Sequence, residues 1–311
     1  MNSGLVLSLT TALMWGVLPV ALKQVLQHLD PLTITWVRLV FATILVGGYY
    51  VWSGKWPASA RFTRRNIILL FCVAIAMAAN YWLFLAGLLM VSPSVAQLTI
   101  QTGPLFLAFG GWYFFAEKLH RRQLAGFALM LGGFWLFYSD MVRLGSGTAQ
   151  SDGGLTGVVL VIFAAIAWTI YALIQKLLAE QFPSSFILLA GYAGAGVLLG
   201  PVSSPGAAMS LTSAQGWYLV FCCVNTVVAY GCFAEAVRRW EAPRVSAILA
   251  LTPIITFLAT MAEAKIFHDE IPAALFANPD QLLGAGLVVV GSMIAALSLT
   301  GRAARRKKGA S

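Results

Sequence analysis

Two glutamines lie one helical turn apart in an apolar stretch of the sequence that runs from Ser92 to Leu105. Gln97 and Gln101 share one face of a helix there, because residues i and i+4 are neighbours on a helix surface. Amide side chains both donate and accept hydrogen bonds, so they can meet the carboxylate or the amine of an organic solute. Polar groups at membrane depth mark functional sites by default, and this pair is the first candidate.

Aromatic side chains recur beside further polar groups in the other apolar stretches. Trp168, Tyr171 and Gln175 share a helical face at i, i+3 and i+7, and Asn80 and Phe84 share one at i and i+4. Rings can stack on an apolar solute and can hold an ammonium group over their face. We predict an uncharged cavity with amide groups and aromatic walls, whose candidate residues are Trp15, Asn80, Tyr81, Phe84, Gln97, Gln101, Trp168, Tyr171, Gln175, Tyr230 and Ser246.

The elements that carry these residues are long apolar runs. The chain of 311 residues is 59% hydrophobic and only 10% charged, with a mean hydropathy of +0.83. Soluble domains carry about 25% charged residues, and a run of about 20 apolar residues can cross a bilayer as a helix. We predict an all-α polytopic membrane protein with ten transmembrane helices, spans 1 to 10, at 4–24, 31–52, 67–90, 93–115, 121–142, 153–178, 184–201, 214–237, 243–265 and 280–301.

The net charge of +9 is distributed in a way that indicates membrane topology. Lys and Arg cluster after the even-numbered spans, as with Lys55 and Arg61 after span 2, and in the tail at 302–311. Excess Lys and Arg marks the cytoplasmic side, and a basic tail is attracted to anionic lipid. We therefore expect both termini in the cytoplasm, the lipid bilayer as a partner, and no nucleic acid.

Residues of the first half recur in order in the second half. Trp15 matches Trp168, which lies 153 positions later, and the further matches are Ala12 with Ala165, Lys23 with Lys176, Pro93 with Pro243, Glu117 with Glu270, Gly126 with Gly284 and Gly133 with Gly291. Because each repeat holds an odd number of spans, the second must enter the membrane from the opposite side. We predict two inverted five-helix repeats, at 4–142 and 153–301, followed by the basic cytoplasmic tail. Inverted repeats are typical of secondary transporters, which bind solute between the repeats; a duplicated scaffold without transport is the alternative.

The pattern P-x-V, P, E and G-x6-G in each half resembles the drug/metabolite transporter superfamily of the EamA type. Its residues are Pro93, Val95, Pro104, Glu117, Gly126 and Gly133, and then Pro243, Val245, Pro253, Glu270, Gly284 and Gly291. Within that superfamily the chain looks most like the YddG-type aromatic amino acid exporters of bacterial inner membranes. The resemblance implies ten helices and amino acid export across the bacterial inner membrane. The second half departs from the pattern in the longer segment between Glu270 and Gly284, which puts the role of Glu270 in doubt.

These observations together favour a secondary transporter over an enzyme. We predict export of amphipathic small solutes, with aromatic and neutral amino acids foremost, by alternating access; drug-like cations, purines and other metabolites are the alternative solutes. The spans hold no His, no Asp pair, no metal-ligand spacing and no phosphate-binding loop motif, so we expect no catalytic residues, metal or cofactor. Coupling to protons through Glu235 or Glu263 stays open, although the position of Glu235 before Arg239 favours an intrahelical ion pair.

Three prolines and two glycine-containing spans complete the predictions. Pro19, Pro104 and Pro253 are candidate hinges or gates, because proline inside a helix kinks it. Spans 5 and 10 carry glycines that permit close helix packing, and we expect peripheral supports or a dimer face there rather than cavity walls. The chain is otherwise expected to be a monomer. Arg38 lies about two turns into span 2, and we expect its side chain to reach the outer interface by snorkelling.

Overall fold

The computed structural model describes residues 3–116, 119–143, 154–240, 242–267 and 279–297. The regular structure in these ranges is entirely helical, which confirms the predicted all-α class for the described part of the chain. Glu117, Glu270 and the tail at 302–311 lie outside the described residues.

Twelve α-helices occupy the described ranges. They are α1 Ser3–Val25, α2 Pro31–Ser53, α3 Arg64–Met90, α4 Pro93–Thr99, α5 Gly103–Phe115, α6 Arg121–Arg143, α7 Gly154–Leu178, α8 Ser184–Leu199, α9 Ser213–Arg239, α10 Ala242–Leu249, α11 Thr252–Phe267 and α12 Pro279–Leu297. Short 3-10 turns lie between several of them, including one at Ile100–Thr102 that joins α4 to α5.

Eight helical stretches in the described ranges are long and apolar enough to cross a membrane. They coincide with predicted spans 1 to 3 and 6 to 10. Predicted span 4 is divided between α4, with 7 residues, and α5, with 13 residues, so neither piece reaches the length of a span alone. Predicted span 5 corresponds to α6, which is not among the eight.

Side-chain caps fix where the helices near the predicted site begin. The Asp30 carboxylate accepts hydrogen bonds from the backbone N–H groups of Leu32 and Thr33, and Pro31 occupies the first turn of α2. Ser92 caps α4 in the same way, ahead of Pro93. Proline suits the first turn because the N–H it lacks would have no partner there. These starts set the helical phase of the residues that follow on α2 and α4.

Two helices are interrupted, one in each half of the chain, and a proline follows each interruption. Pro104 cannot donate to Ile100 O, and the N–H of Gly103 bonds to that carbonyl instead, which tightens the chain into a 3-10 turn. Pro253 likewise leaves Leu249 O without its usual donor, and the Thr252 hydroxyl donates to it at 2.8 Å. Helix α1, by contrast, continues through Pro19 without a break.

The helices pack in pairs that join the two halves of the chain. Helix α1 packs along α9 and α3 along α7, while α2 packs on α8 and α6 on α12. The crossing of α6 and α12 is close because glycines face each other: a Cβ on Gly126 would lie 2.6 Å from Gly291 O, and one on Gly133 would lie 2.6 Å from Gly284 O. These contacts confirm the prediction that the glycines of α6 and α12 permit close helix packing.

Candidate functional site

A cavity of about 640 Å³ lies between the two halves of the chain. It has the size of a pocket for a small organic molecule. Nine of the eleven predicted site residues line it: Trp15, Asn80, Tyr81, Phe84, Gln97, Gln101, Trp168, Tyr230 and Ser246. Helical spacing in the sequence thus brings most of the predicted polar and aromatic groups to one place.

The two glutamines face the cavity from α4 and the 3-10 turn after it. Gln97 is buried, with 7% of its surface exposed, and the Nε2 atom of Gln101 is buried as well. Among the residues that the structure describes, neither amide has a hydrogen-bond partner. Because buried polar groups in proteins are nearly always hydrogen-bonded, these two amides are available to a bound solute or water.

Aromatic rings form the wall on two sides of the cavity. The Trp15 ring lies 5.2 Å from the Tyr230 ring in an edge-on arrangement and 5.5 Å from the Phe233 ring. Trp168 packs over Gly103, where a Cβ would lie only 3.3 Å from the indole, so the glycine at the start of α5 makes room for the ring. These rings offer apolar faces to a solute while each is held by its neighbours.

Asn80 joins the cavity to the packing of α3 against α7. Its Nδ2 atom donates a hydrogen bond to Ala164 O at 2.8 Å. The side-chain oxygen has no hydrogen-bond partner among the described residues. Asn80 therefore has a structural bond on one atom and an acceptor left for the cavity.

Two predicted site residues on α7 do not line the cavity. Tyr171 is buried in the hydrophobic core that α2, α3, α7 and α8 form, which also contains Leu178 and Tyr192. Gln175 is half-buried and lies outside the lining. Trp168 lines the cavity. Tyr171, three positions later, is turned towards α3 and α8, and Gln175 lies two turns farther along α7.

The three candidate hinge prolines differ in position. Pro19 and Pro104 line the cavity, whereas Pro253 is buried and only its neighbour Thr252 lines it. Near Pro19 the backbone of α1 accepts two side-chain hydrogen bonds, from Asn225 to Met14 O at 2.6 Å and from Thr256 to Gly16 O at 2.6 Å. These bonds hold α1 against α9 and α11 near Pro19. Of the three prolines, only Pro104 and Pro253 follow an interruption of a helix, so these two are better hinge candidates than Pro19.

Arg38 lies in the cavity wall, where no charged group was predicted. Its side chain is only 3% exposed, and its Nε atom donates a hydrogen bond to the Thr226 hydroxyl at 3.1 Å. The guanidinium carbon lies 4.9 Å from the centroid of the Tyr81 ring. The predicted snorkelling of Arg38 is wrong, because these contacts hold the side chain inside the bundle. The prediction of an uncharged cavity is wrong for the same reason.

Helices α6 and α12 also line the cavity, which corrects the prediction that they are only peripheral. Gln123, Phe127 and Met130 contribute from α6, and Ser292 and Ala295 contribute from α12. On α6 the cavity residues recur at i, i+4 and i+7, next to the glycine face that packs on α12. One helix can therefore pack by one face and line the cavity by the adjacent face.

Several other charged groups at the helix ends have partners in the protein. Lys23 Nζ donates to three backbone oxygens at the end of α3, those of Leu88, Leu89 and Val91, at 2.7 to 2.9 Å. Gln24 donates to the Glu263 carboxylate. Glu235 accepts from Arg239 Nε at 2.5 Å, which confirms the predicted intrahelical pair. In the described ranges, no cluster of three or more His, Cys, Asp or Glu side chains is arranged to hold a metal ion.

Comparison with known proteins shows the family. The profile of the EamA-like transporter family matches this sequence twice, at residues 2–139 and 155–297. The chain belongs to the EamA-like transporter family. It is 33% identical over 298 residues to an "Uncharacterized transporter" of Haemophilus influenzae, an alignment that covers 94% of each chain. This result confirms the family that the motifs predicted.

Other relatives and one solved structure agree with that family. The chain is 33% identical over 296 residues to the "Uncharacterized inner membrane transporter YhbE" of Escherichia coli K12, covering 94% of this chain and 91% of the relative. It is 26% identical over 313 residues to a "Probable amino-acid metabolite efflux pump" of the same organism, covering 96% of each. A crystal structure with 15% identity superimposes with a TM-score of 0.62 over 96% of this chain and 98% of the other, which supports the fold alone.

Proposed function

We propose that this transporter is a secondary exporter of amphipathic small solutes, foremost aromatic and neutral amino acids, that works by alternating access. The observation that carries the proposal is the cavity between the halves, which is lined both by aromatic rings and by amides that have no hydrogen-bond partner among the described residues. An amino acid has a polar head for the amides and a side chain for the rings. Similarity to a relative named as a probable amino-acid metabolite efflux pump supports the same solute class.

The architecture we propose is ten membrane spans arranged as two inverted five-helix repeats, at 4–142 and 153–301. The helix packing supports this arrangement. If spans 1 to 5 correspond in order to spans 6 to 10, the packed pair α1–α9 corresponds to the packed pair α7–α3. The pairs α2–α8 and α6–α12 each correspond to themselves, as a two-fold relation requires. The interrupted helices α4–α5 and α10–α11 also correspond. Discontinuous helices at the interface of inverted repeats are a common way to build a solute site in transporters.

The proposed location is the bacterial inner membrane, with both termini in the cytoplasm. The distribution of Lys and Arg supports this orientation, and the name of the Escherichia coli relative supports this membrane. In that orientation the cavity reaches the cytoplasmic ends of the bundle at Leu119, Gln123 and Ser246. The opposite ends of α1 and α3 are packed shut around Leu22, Val25 and Leu88. The structure therefore corresponds to a cytoplasm-facing state in this proposal.

The breaks before Pro104 and Pro253 are the proposed gate positions. Each break separates a helical segment from its continuation, and each leaves only a local bond across the missing step. Rotation of α4 and α10 about these points would change which end of the cavity is open. The side chains proposed to contact solute are Gln97, Gln101, Asn80, Trp15 and Trp168, with Phe84, Tyr81, Tyr230 and Ser246 completing the wall.

Counterflow in proteoliposomes tests the proposed solute class without assuming a coupling ion. Vesicles loaded with unlabelled L-phenylalanine should accumulate labelled L-phenylalanine, and neutral and aromatic amino acids outside should compete. A purine and a quaternary ammonium drug serve as the competing classes. Competition by the cation or the purine alone, with no effect of any amino acid, would refute the assignment.

A further inference from the structure

The cavity contains a buried guanidinium most of whose N–H donors have no acceptor among the described residues. Arg38 carries five N–H donors, and its one hydrogen bond within the described residues uses Nε, towards Thr226. The terminal Nη1 and Nη2 groups, which hold the other four donors, have no acceptor in that part of the chain. Arg38 is nonetheless 97% buried, since only 3% of its surface is exposed.

No carboxylate neutralises this charge in the part of the chain that the structure describes. Among the described residues, no Asp or Glu lines the cavity and no ion pair involves Arg38. The face of the Tyr81 ring covers one side of the guanidinium, which offsets part of the charge while the edge of the group stays open. A buried charge without an opposite charge is costly, so this arrangement is expected where a ligand supplies the missing partner.

Lys23 shows what a structurally satisfied cation looks like in the same bundle. Its ammonium has three donors, and three backbone carbonyl oxygens at the end of α3 accept from it. Lys23 therefore fastens one helix to another and has no donor to spare. Arg38 has donors to spare, and they lie in the cavity wall.

We propose that Arg38 binds the carboxylate of the transported solute, so that solutes with a carboxylate are accepted and solutes that are only cationic are rejected. The inference rests on the proposed function and names the chemical group that the site selects. The planar edge of a guanidinium matches a carboxylate with two parallel hydrogen bonds, which an ammonium group cannot reproduce. The amides of Gln97 and Gln101 and the free oxygen of Asn80 are then left for the amine of the solute.

The test uses three probes that share one ring and differ in the head group. They are L-phenylalanine, 3-phenylpropionate, which has only the carboxylate, and L-phenylalaninamide, which has only the amine. We expect L-phenylalanine and 3-phenylpropionate to compete for counterflow of labelled L-phenylalanine. L-phenylalaninamide should compete at least about tenfold less well, a difference in affinity equivalent to one charge-assisted hydrogen bond. Equal competition by the acid and the amide in the wild type would overturn the inference.

The substitutions Arg38→Gln and Arg38→Lys test whether Arg38 is the source of the preference for a carboxylate. In Arg38→Gln the preference for the acid over the amide should disappear, and in Arg38→Lys it should be reduced but keep its direction. The matched control is Arg64→Gln, at the exposed start of α3, and it should behave as the wild type. An unchanged preference in Arg38→Gln would also overturn the inference.

Thermal unfolding in detergent provides a second measurement that does not depend on transport. Because the substitution removes an unpaired buried charge, Arg38→Gln should unfold at the wild-type temperature or above it. Added 3-phenylpropionate should raise the unfolding temperature of the wild type and not that of Arg38→Gln; equal protection of both would contradict the inference. If the wild type exchanges none of the three probes, the proposed function is refuted. If it exchanges them without a preference for one head group, the proposed function is retained and the role of Arg38 is refuted.

Discussion

The two halves of the chain line one cavity with different chemistry. Among the described lining residues, every amide and guanidinium group comes from the first half, from Arg38, Asn80, Gln97, Gln101 and Gln123. The second half contributes the indole of Trp168, the rings of Tyr230 and Phe233 and the hydroxyls of residues such as Ser246. The helices of the two halves nevertheless pack in corresponding pairs, so the halves share a packing arrangement and differ in the groups that they present to the cavity.

The same contrast is visible at the two interrupted helices. In the first half the backbone N–H of Gly103 satisfies the carbonyl left free before Pro104. In the second half the side chain of Thr252 does so before Pro253. The two breaks therefore have similar backbone paths, but a backbone N–H satisfies the carbonyl in one and a side-chain hydroxyl satisfies it in the other. Substitutions can test the features that the halves share and the features in which they differ.

The largest expected effect concerns packing, in which the halves should be equal. Gly133→Ala and Gly284→Ala each place a Cβ 2.6 Å from a backbone oxygen of the facing helix, so α6 and α12 must move apart. Each should lower the free energy of unfolding by about 1–3 kcal/mol, measured by SDS titration in mixed micelles. Gly132→Ala is the control, because no atom lies within 4 Å of its added Cβ. A strong effect on one side of the crossing and none on the other would contradict the shared packing.

The next effect should be confined to the first half. Gln97→Ala removes an amide that has no hydrogen-bond partner in the described part of the chain, so it should reduce the counterflow rate at low solute concentration about tenfold while the protein stays folded. Gln175→Ala in the second half is the matched control, since Gln175 lies outside the cavity lining. Equal rates for both variants would remove the helix α4 side from solute recognition.

The smallest effect concerns the two breaks. Thr252→Val deletes the hydroxyl that bonds to Leu249 O and should cost about 1 kcal/mol of stability. Thr102→Val, at the corresponding break, should be neutral or slightly stabilising, because the Thr102 hydroxyl is buried without a partner in the described residues. The SDS unfolding midpoint of each variant measures this difference, and a larger loss for Thr102→Val would reverse the account of the breaks.

Helical spacing predicts much of the cavity lining, because a polar side chain within an apolar span must face the protein interior or a cavity rather than lipid. Gln97, Gln101 and Trp168 all reach the cavity as their positions predicted. Tyr171 does not, because sequence spacing fixes the angle between two side chains only approximately and α8 lies on that side of α7. The neighbours of a residue decide its environment, and they come from distant parts of the chain.

Arg38 illustrates the same limit most clearly. Its depth in span 2 was evident from the sequence, but its partners Thr226 and Tyr81 lie on α9 and α3. Without them, a path to the interface and a place in the cavity were equally consistent with the sequence. Likewise, the glycines of α6 predicted its packing face, whereas Phe127 and Met130 on the adjacent face are ordinary apolar residues that did not indicate a cavity.

Locating a bound solute tests the central claim most directly. Crystals grown with 4-bromo-L-phenylalanine would give an anomalous bromine peak that marks the ring of the solute. The account predicts the bromine inside the cavity beside the rings of the second half, near Trp168 or Phe233, with the carboxylate at Arg38 on the first half. A bromine peak outside the cavity, or a solute whose carboxylate lies away from Arg38, would contradict it.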